Sequence, residues 1–194
     1  MKRISSLKNS LSLLIVITCA GFISCDSASK GTAQNTDSTA MAMAEAVVSG
    51  TGSDTTVTGQ VNFQTQGNGQ VRMMLNLTIP TKANSSVAVH LHEHGDCGEM
   101  GNNAHGHWNP TNENHGKWGE GNYHSGDIGN VELDAQGTGS MELTTDRWTI
   151  GGDSTTNILN KAVIVHSGVD DYTSQPSGNA GSRIGCGVVN QANQ

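Results

Sequence analysis

The strongest structural signal in the chain lies in Val71-Arg72-Met73-Met74-Leu75-Asn76-Leu77-Thr78-Ile79, where every second residue is apolar. A period of two is the side-chain alternation of a β-strand and differs from the period of a helix. The same alternation occurs at 57–63 and 87–91 and more weakly at 131–133, 141–143 and 163–165, with Gly-, Asn-, Asp- or Ser-rich turns between the runs. Short strands at this spacing predict an all-β sandwich or barrel.

Two long segments do not fit this succession of strands. Residues 93–123 are rich in Gly, Asn and His, and residues 170–181 are polar with one proline. Loops of this length are uncommon in a compact domain unless they carry function. We therefore expect two long functional loops.

The N-terminal residues 1–24 have the composition of an export signal. Three basic residues precede an apolar stretch of 13 residues at 11–23, which is shorter than the roughly 20 residues that span a bilayer. Phe22-Ile23-Ser24-Cys25 then resembles the processing site of a bacterial lipoprotein signal peptide, in which Cys25 is lipidated and begins the mature chain. An ordinary cleaved secretory signal is the alternative, and both interpretations predict export from the cytoplasm.

The remaining chain divides into a tether and one domain. Residues 25–44 carry few charges and almost no large apolar side chain, which predicts a flexible tether, and residues 45–194 suit a single domain. Without residues 1–24 the chain keeps seven of its ten basic residues against seventeen acidic ones, a net charge of −10. This balance argues against a nucleic-acid partner, because phosphates are bound by basic surfaces. The only membrane contact that we expect is through the N-terminal lipid anchor.

The domain contains two cysteines, Cys97 and Cys186. In an oxidising compartment such a pair forms a disulfide, and two free buried thiols are the alternative.

The histidines carry the chemical signal. In Val87-Ala88-Val89-His90-Leu91-His92, strand alternation sends the apolar residues to one face and the two histidines to the other. This pair indicates either two metal ligands or a polar surface strand. His94 would share the same face, but we expect His94 and His105 to be polar loop residues, with metal recruitment by His94 as the alternative.

A second group of candidate ligands follows within the first long loop and just after it. His107, His115, His124 and Asp127 supply three imidazoles and a carboxylate, which is a suitable tetrahedral zinc set. A surface cluster of His and Asp is the alternative interpretation. His166 follows an apolar run immediately before the second long loop.

Several motifs between about residues 47 and 189 together resemble one enzyme family. They are His90-Leu91-His92-Glu93-His94-Gly95-Asp96-Cys97, His107-Trp108-Asn109-Pro110, His124-Ser125-Gly126-Asp127, Val165-His166 and Gly181-Ser182-Arg183-Ile184-Gly185-Cys186-Gly187. In order and spacing they are similar to the copper–zinc superoxide dismutases. The resemblance implies an eight-stranded Greek-key β-barrel, an immunoglobulin-like sandwich.

The resemblance also implies roles for individual residues. Copper would be bound by His90, His92, His107 and His166, and zinc by His107, His115, His124 and Asp127, so that His107 is shared. Asp170 would hydrogen-bond one ligand of each metal, and Arg183 would receive the substrate anion. Cys97 and Cys186 would form the disulfide that pins the metal loop to the barrel. His107 and Arg183 are thus the residues expected in catalysis.

The function implied is dismutation of superoxide to dioxygen and hydrogen peroxide by a redox-cycling copper ion that His107 bridges to a structural zinc ion. Such an enzyme would protect a bacterial cell envelope, lipid-anchored and facing the periplasm or the cell surface, and a homodimer is compatible with the resemblance. Ser167-Gly168 stands where other members often carry a Glu–Lys pair, so guidance of the substrate rests more on Arg183. The alternative is a copper-binding or copper-storage lipoprotein on the same fold.

Overall fold

The computed structural model describes residues 41–192, which contain nine β-strands and two 3₁₀ turns. The strands are β1 (Met43–Gly50), β2 (Thr58–Thr65), β3 (Val71–Thr78), β4 (Ser86–His92), β5 (Gly129–Glu132), β6 (Thr138–Thr145), β7 (Ala162–His166), β8 (Arg183–Val188) and β9 (Asn190–Gln191), and the 3₁₀ turns are Pro80–Lys82 and Glu99–Ala104. Among these residues no helix is long and apolar enough to cross a membrane.

The predicted signal peptide at 1–24, the lipidation site at Cys25 and most of the predicted tether lie outside the described residues. β1 begins at Met43, so the last two residues of the predicted tether, Met43 and Ala44, belong to the barrel. Ala44 is buried in the core and pairs with Phe63 of β2.

The strands form one antiparallel barrel. Their order is β5-β4-β7-β8-β1-β2-β3-β6, and the short β9 pairs with β1. β3 is followed in the chain by β4 but lies beside β6, and β7 lies between β4 and β8, which is Greek-key topology. The two ends of this path, β5 and β6, are consecutive in the chain and pack against each other, so the barrel is nearly closed. The all-β barrel predicted from the alternation is confirmed.

The core follows directly from the alternation. In β3 the side chains of Val71, Met73, Leu75 and Leu77 are buried, while the residues between them are partly or fully exposed. Phe63 of β2 packs edge-on against Trp148, with ring centroids 5.9 Å apart. Burial of such side chains stabilises the fold by roughly 1.5–3 kcal/mol each.

Three connections of the barrel are long. The segment 93–128 joins β4 to β5 and the segment 167–182 joins β7 to β8, in agreement with the two predicted functional loops. A third segment, 146–161, joins β6 to β7 and was not predicted. Its Trp148 is buried and donates a hydrogen bond from Nε1 to the carbonyl of Ser125 (2.8 Å), which anchors the end of the first loop.

Candidate metal centre

Neighbouring segments of the barrel bring four histidines together. β4 turns alternate apolar side chains to the core, so His90 and His92 point to the opposite face. His166 ends the adjacent antiparallel β7, and His107 lies opposite His92 in an isolated β-bridge. We call these residues the four-histidine cluster: His90, His92, His107 and His166. All four are buried, and their nitrogen atoms lie within 4.8 Å of one another.

Each ring of this cluster has one buried nitrogen without a hydrogen-bond partner. These atoms are Nδ1 of His90 and Nε2 of His92, His107 and His166. The other nitrogens are held: His90 Nε2 donates to Asp170 Oδ2 (2.8 Å), His92 Nδ1 donates to the carbonyl of His105 (2.7 Å), and His166 Nδ1 donates to a backbone carbonyl (3.2 Å). A buried polar atom left unpaired costs about 1–3 kcal/mol, and a metal ion would remove that cost at all four atoms.

The second candidate set is the His₃Asp cluster, formed by His107, His115, His124 and Asp127. The Asp127 carboxylate lies 2.8 Å from Nδ1 of His107, 3.0 Å from Nδ1 of His115 and 3.1 Å from Nδ1 of His124. The backbone N–H groups of Gly116 (3.1 Å) and His124 (2.8 Å) donate to the same carboxylate and fix its orientation. Nδ1 of His115 and of His124 make no well-aligned hydrogen bond, which suits a cation between the donors.

His107 belongs to both clusters. Its Nδ1 faces Asp127, while its unpartnered Nε2 is on the side of the four-histidine cluster, where its ring centroid lies 4.0 Å from that of His90. One imidazole thus presents a donor atom to each cluster, as the family resemblance implies.

Asp170 accepts a hydrogen bond from one histidine of each cluster. Its Oδ2 accepts from Nε2 of His90 (2.8 Å) and its Oδ1 accepts from Nε2 of His115 (2.9 Å). Burial acts to raise the pKa of Asp170, but the hydrogen bonds from His115 and His90 outweigh burial and hold that pKa well below its usual value. The carboxylate is therefore ionised, and it fixes the tautomer of one ring in each cluster.

The electrostatic environment keeps most of the rings neutral. Burial lowers the pKa of His90 to about 3 and that of His166 to about 4, and it also lowers the pKa values of His92 and His107. His115 is different: burial lowers its pKa, but Asp127 and Asp170 outweigh burial and raise it to about 9. A neutral imidazole is the form that binds a metal, so the four-histidine cluster is prepared to act as a ligand set near pH 7.

The four-histidine cluster opens to solvent through a cavity of about 500 Å³. His92, His107 and His166 line it, together with Arg183 at the start of β8. The guanidinium of Arg183 donates to the carbonyls of Gly101 (2.5 Å) and His105 (2.5 Å), which holds the positive charge in the cavity lining. An anion that enters the cavity therefore meets a positive charge in the same lining as the histidines.

The family comparison agrees with this geometry. The family model described as copper/zinc superoxide dismutase matches residues 57–189. The chain belongs to the copper/zinc superoxide dismutase family. Both clusters, Asp170 and Arg183 lie within the matched residues.

Individual relatives support the assignment. A Cu-Zn superoxide dismutase of Aquifex aeolicus is 36% identical over 110 residues, which cover 55% of this chain and 64% of the relative. The Cu-Zn superoxide dismutase of Schizosaccharomyces pombe is 35% identical over 156 residues, covering 77% of this chain and 97% of the relative. A crystal structure of the clock protein EA4 superposes with a TM-score of 0.68 at 29% identity, covering 77% of this chain and 94% of that one.

Copper and zinc, the metals of the superoxide dismutase family, suit the donor atoms of the two clusters. Four imidazole nitrogens match the preference of Cu(II) for tetragonal nitrogen sites. Three imidazoles and one carboxylate match a tetrahedral zinc site.

The disulfide predicted for this member of the family is present. Cys97, in the first long loop, is bonded to Cys186 of β8. The carbonyl of Cys97 accepts from the N–H of Gly101, and Gly101 in turn accepts from Arg183. The disulfide therefore ties to β8 the loop segment that positions the guanidinium.

His94 does not join the copper ligands as its predicted strand position allowed. β4 ends at His92, and the exposed ring of His94 lies against that of His105, with centroids 4.3 Å apart. The alternative in which His94 extends the face of His90 and His92 is wrong, because β4 ends at His92 and the chain bends there, and His94 is an exposed loop residue as expected.

The sequence did not predict the groups that orient the histidines through hydrogen bonds to their second ring nitrogens. Three backbone carbonyls accept from cluster histidines: His105 from His92, Gly181 from His166, and Glu113 from Nε2 of His124 (3.0 Å). A carbonyl carries no residue-type signal, so no motif could have indicated these contacts. Asn130, whose amide donates to the carbonyl of Asp170 (2.9 Å), was also missed.

Proposed function

We propose that this protein dismutates superoxide, converting two superoxide anions and two protons to dioxygen and hydrogen peroxide. Copper occupies the four-histidine cluster and zinc the His₃Asp cluster. The observation that carries the proposal is that His107 offers one nitrogen to each cluster. His107 and Arg183 line the same cavity. Copper supplies a one-electron couple that superoxide can both reduce and reoxidise, whereas zinc has no redox chemistry.

Arg183 binds and orients the anion. Its side chain is partly buried, and its two short hydrogen bonds to backbone carbonyls hold it against the cavity. The chain without residues 1–24 carries a net charge of −10, so a local positive charge is needed to attract superoxide. Steering by local fields of this kind raises association rates by about 10- to 1,000-fold.

His107 takes up and releases a proton during turnover. Its Nδ1 is held by Asp127 (2.8 Å), whereas its Nε2 has no hydrogen-bond partner among residues 41–192 and lies beside the cavity. Nε2 can therefore hold a proton after one superoxide has reacted and deliver it to the product of the next. Zinc in the His₃Asp cluster would hold Nδ1 and keep the ring in one orientation through both steps.

The activity test compares superoxide decay in the copper- and zinc-loaded protein and in His107→Ala. We expect catalytic decay in the first and at least about a 100-fold loss in the second, because the variant lacks both the shared ligand and the proton carrier. Stoichiometric uptake of both metals without catalysis would refute the proposal and favour copper storage. Storage does not need an anion-binding arginine in the cavity lining, so the presence of Arg183 there argues against it.

The contribution of Arg183 is tested by replacing its charge. Arg183→Ala should lower kcat/KM about 10-fold and flatten its dependence on ionic strength, because the local attraction of the anion is lost. Arg72→Ala is the matched control, since Arg72 is an exposed residue of β3 that is bonded to Glu142 and lies outside the cavity. Arg183→Lys separates charge from hydrogen bonding and should retain the salt dependence. Equal effects of the two alanine substitutions would show that only net charge matters.

We also propose that the protein is exported and anchored by lipid at Cys25, in the cell envelope of a bacterium, facing the periplasm or the cell surface. The basic start, the short apolar stretch at 11–23 and Cys25 directly after Ser24 support this proposal. Metabolic labelling with a radioactive fatty acid should mark the wild-type protein and not Cys25→Ser. Export of both without labelling would favour an ordinary secretory signal.

The family resemblance adds a homodimer as a further proposal, which the sedimenting mass of the soluble domain tests.

A further inference from the structure

A third group of metal-binding side chains lies outside the two family clusters. Glu93, His94 and His105 are exposed, and each offers a ligand atom within 4.8 Å of the others. The rings of His94 and His105 have centroids 4.3 Å apart. Six of the eight histidines of the chain belong to the two clusters, so this group contains both of the remaining ones.

Backbone hydrogen bonds just after β4 bring these residues together. Beyond the isolated bridge between His92 and His107, the N–H of Glu93 donates to the carbonyl of Gly106 (3.1 Å) and that of His94 to the carbonyl of Ala104 (3.2 Å). The acceptor moves by two residues while the donor moves by one, so the pairing is irregular at this point. The backbone of His94 is thus bonded to the residue that precedes His105, which accounts for the proximity of the two rings.

One charged group lies near these three side chains, since the ammonium of Lys161 interacts electrostatically with Glu93. None of them makes a side-chain hydrogen bond or ion pair within residues 41–192, and the nearby Lys161 ammonium bonds the backbone carbonyl of Glu93 (3.1 Å). His105 has φ 62° and ψ −144°, a left-handed conformation that favours glycine. The backbone conformation of position 105 thus favours glycine, yet the chain has a histidine there.

We propose that Glu93, His94 and His105 form a third metal site, for Zn²⁺, at the rim of the cavity. Two imidazoles and a glutamate, with water in the fourth position, are an established tetrahedral zinc set. Donor atoms bound to one such ion lie about 3.4 Å apart, so exposed side chains reach this geometry by small rotations. The site does not depend on superoxide chemistry, and its failure leaves the proposed function untouched.

The site shares its backbone with the metal centre. The carbonyl of His105 accepts from both His92 and Arg183, and Glu93 lines the cavity. An ion held by Glu93, His94 and His105 thus joins the loop segment behind His92 to the end of β4.

The test counts zinc in the protein already loaded with one copper and one zinc. After equilibrium dialysis against micromolar free Zn²⁺, elemental analysis should find a second zinc ion per chain in the wild type. His94→Gln and Glu93→Gln should each weaken that second site at least about 100-fold, because loss of a ligand costs more than loss of a residue behind one. Glu99→Gln, an exposed glutamate of the same loop, is the matched control and should bind as wild type does.

The visible absorption of the bound copper checks that the four-histidine cluster is intact in every variant. His105→Asn provides a second imidazole deletion, and because φ 62° and ψ −144° strain any residue with a Cβ, the variant keeps the backbone strain of the wild type. A wild type that binds only one zinc would overturn the proposal. So would a second zinc that persists in both His94→Gln and His105→Asn.

Discussion

Asp170→Asn is expected to weaken copper binding far more than zinc binding, although Asp170 contacts one histidine of each cluster. Oδ1 accepts from His115 Nε2 (2.9 Å) and also from the backbone N–H of Tyr172 (2.7 Å), whereas within residues 41–192 Oδ2 accepts only from His90 Nε2 (2.8 Å). The amide oxygen will therefore take the position with two donors. Its NH₂ group then faces the N–H of His90, and two donors oppose each other.

The magnitude follows from the contact that is lost. A hydrogen bond to a charged group contributes about 1.5–3 kcal/mol, so losing the one to His90 costs about 2 kcal/mol. If His90 instead shifts its proton to Nδ1, the atom that faces the cluster is blocked. Either outcome lowers copper affinity by about 30-fold, while the retained contact to His115 limits the zinc loss to about threefold.

Competition against chelators of known affinity measures both metals separately. Asp171→Asn is the matched control, because Asp171 is exposed and its carboxylate accepts from Thr173, Ser174 and Asn179 but from no cluster histidine. Unchanged copper affinity in Asp170→Asn would refute the reasoning. Equal losses of copper and zinc would show that the backbone of Tyr172 does not select the orientation of the amide.

Three further predictions concern the same centre and its support. Gly178→Ala places a methyl group against the Asp170 carboxylate, so chelator competition should show a loss of zinc affinity of at least about 10-fold, whereas Gly119→Ala, at a similar positive φ but in open space, should have little effect. In the metal-free protein His166 has a pKa of about 4 instead of 6.5, so the unfolded chain takes up a proton first as the pH falls. Its contribution to the free energy of unfolding should therefore be fully present above pH 6.5 and decrease by about 3 kcal/mol by pH 4, seen in urea titrations as a difference from His166→Gln. Cys186→Ser opens a crosslink over a separation of 89 residues and should lower the free energy of unfolding by about 4–5 kcal/mol in the same titrations.

Each of these predictions has a contrary result. Equal zinc losses in the two glycine variants would assign the effect to left-handed strain instead of contact with the carboxylate. A pH dependence of unfolding that does not change in His166→Gln would exclude a neutral buried ring at that position. A loss below about 1 kcal/mol in Cys186→Ser would mean that the unfolded chain gains little freedom when the bond is absent.

The strands that alternation predicted are those with large side chains. β3 and β4 were evident because large apolar residues such as Met73, Leu75 and Leu91 recur at every second position. β1 and β8 were not predicted, since β1 buries Ala44 and Ala46, and β8 contains Gly185 and Gly187. A Cβ at Gly187 would lie 2.6 Å from the carbonyl oxygen of Val47, so the close approach of two strands selects a residue with no hydrophobic signal.

The connection at 146–161 was not predicted because its sequence carries no local pattern. It has no strand alternation and no candidate ligands, yet Trp148 is fully buried and Arg147 is bonded to Glu113 (2.7 Å). Glu113 supplies the carbonyl that holds His124. The support for that ring therefore comes from a segment far away in the chain, which local patterns cannot indicate.

Fold class and the identities of the candidate ligands could be read from residue order, because alternation and the spacing of histidines are local properties. The choice of nitrogen in each imidazole could not. That choice depends on which acceptor meets the other nitrogen: the carbonyl of His105 for His92, and the carboxylate of Asp170, 80 residues away in the chain, for His90. The proximity of His94 and His105 likewise depends on the backbone hydrogen bonds between 93–94 and 104–106, which form only in the folded loop. Hydrogen bonds form between groups that folding brings together, and only the folded chain specifies their partners.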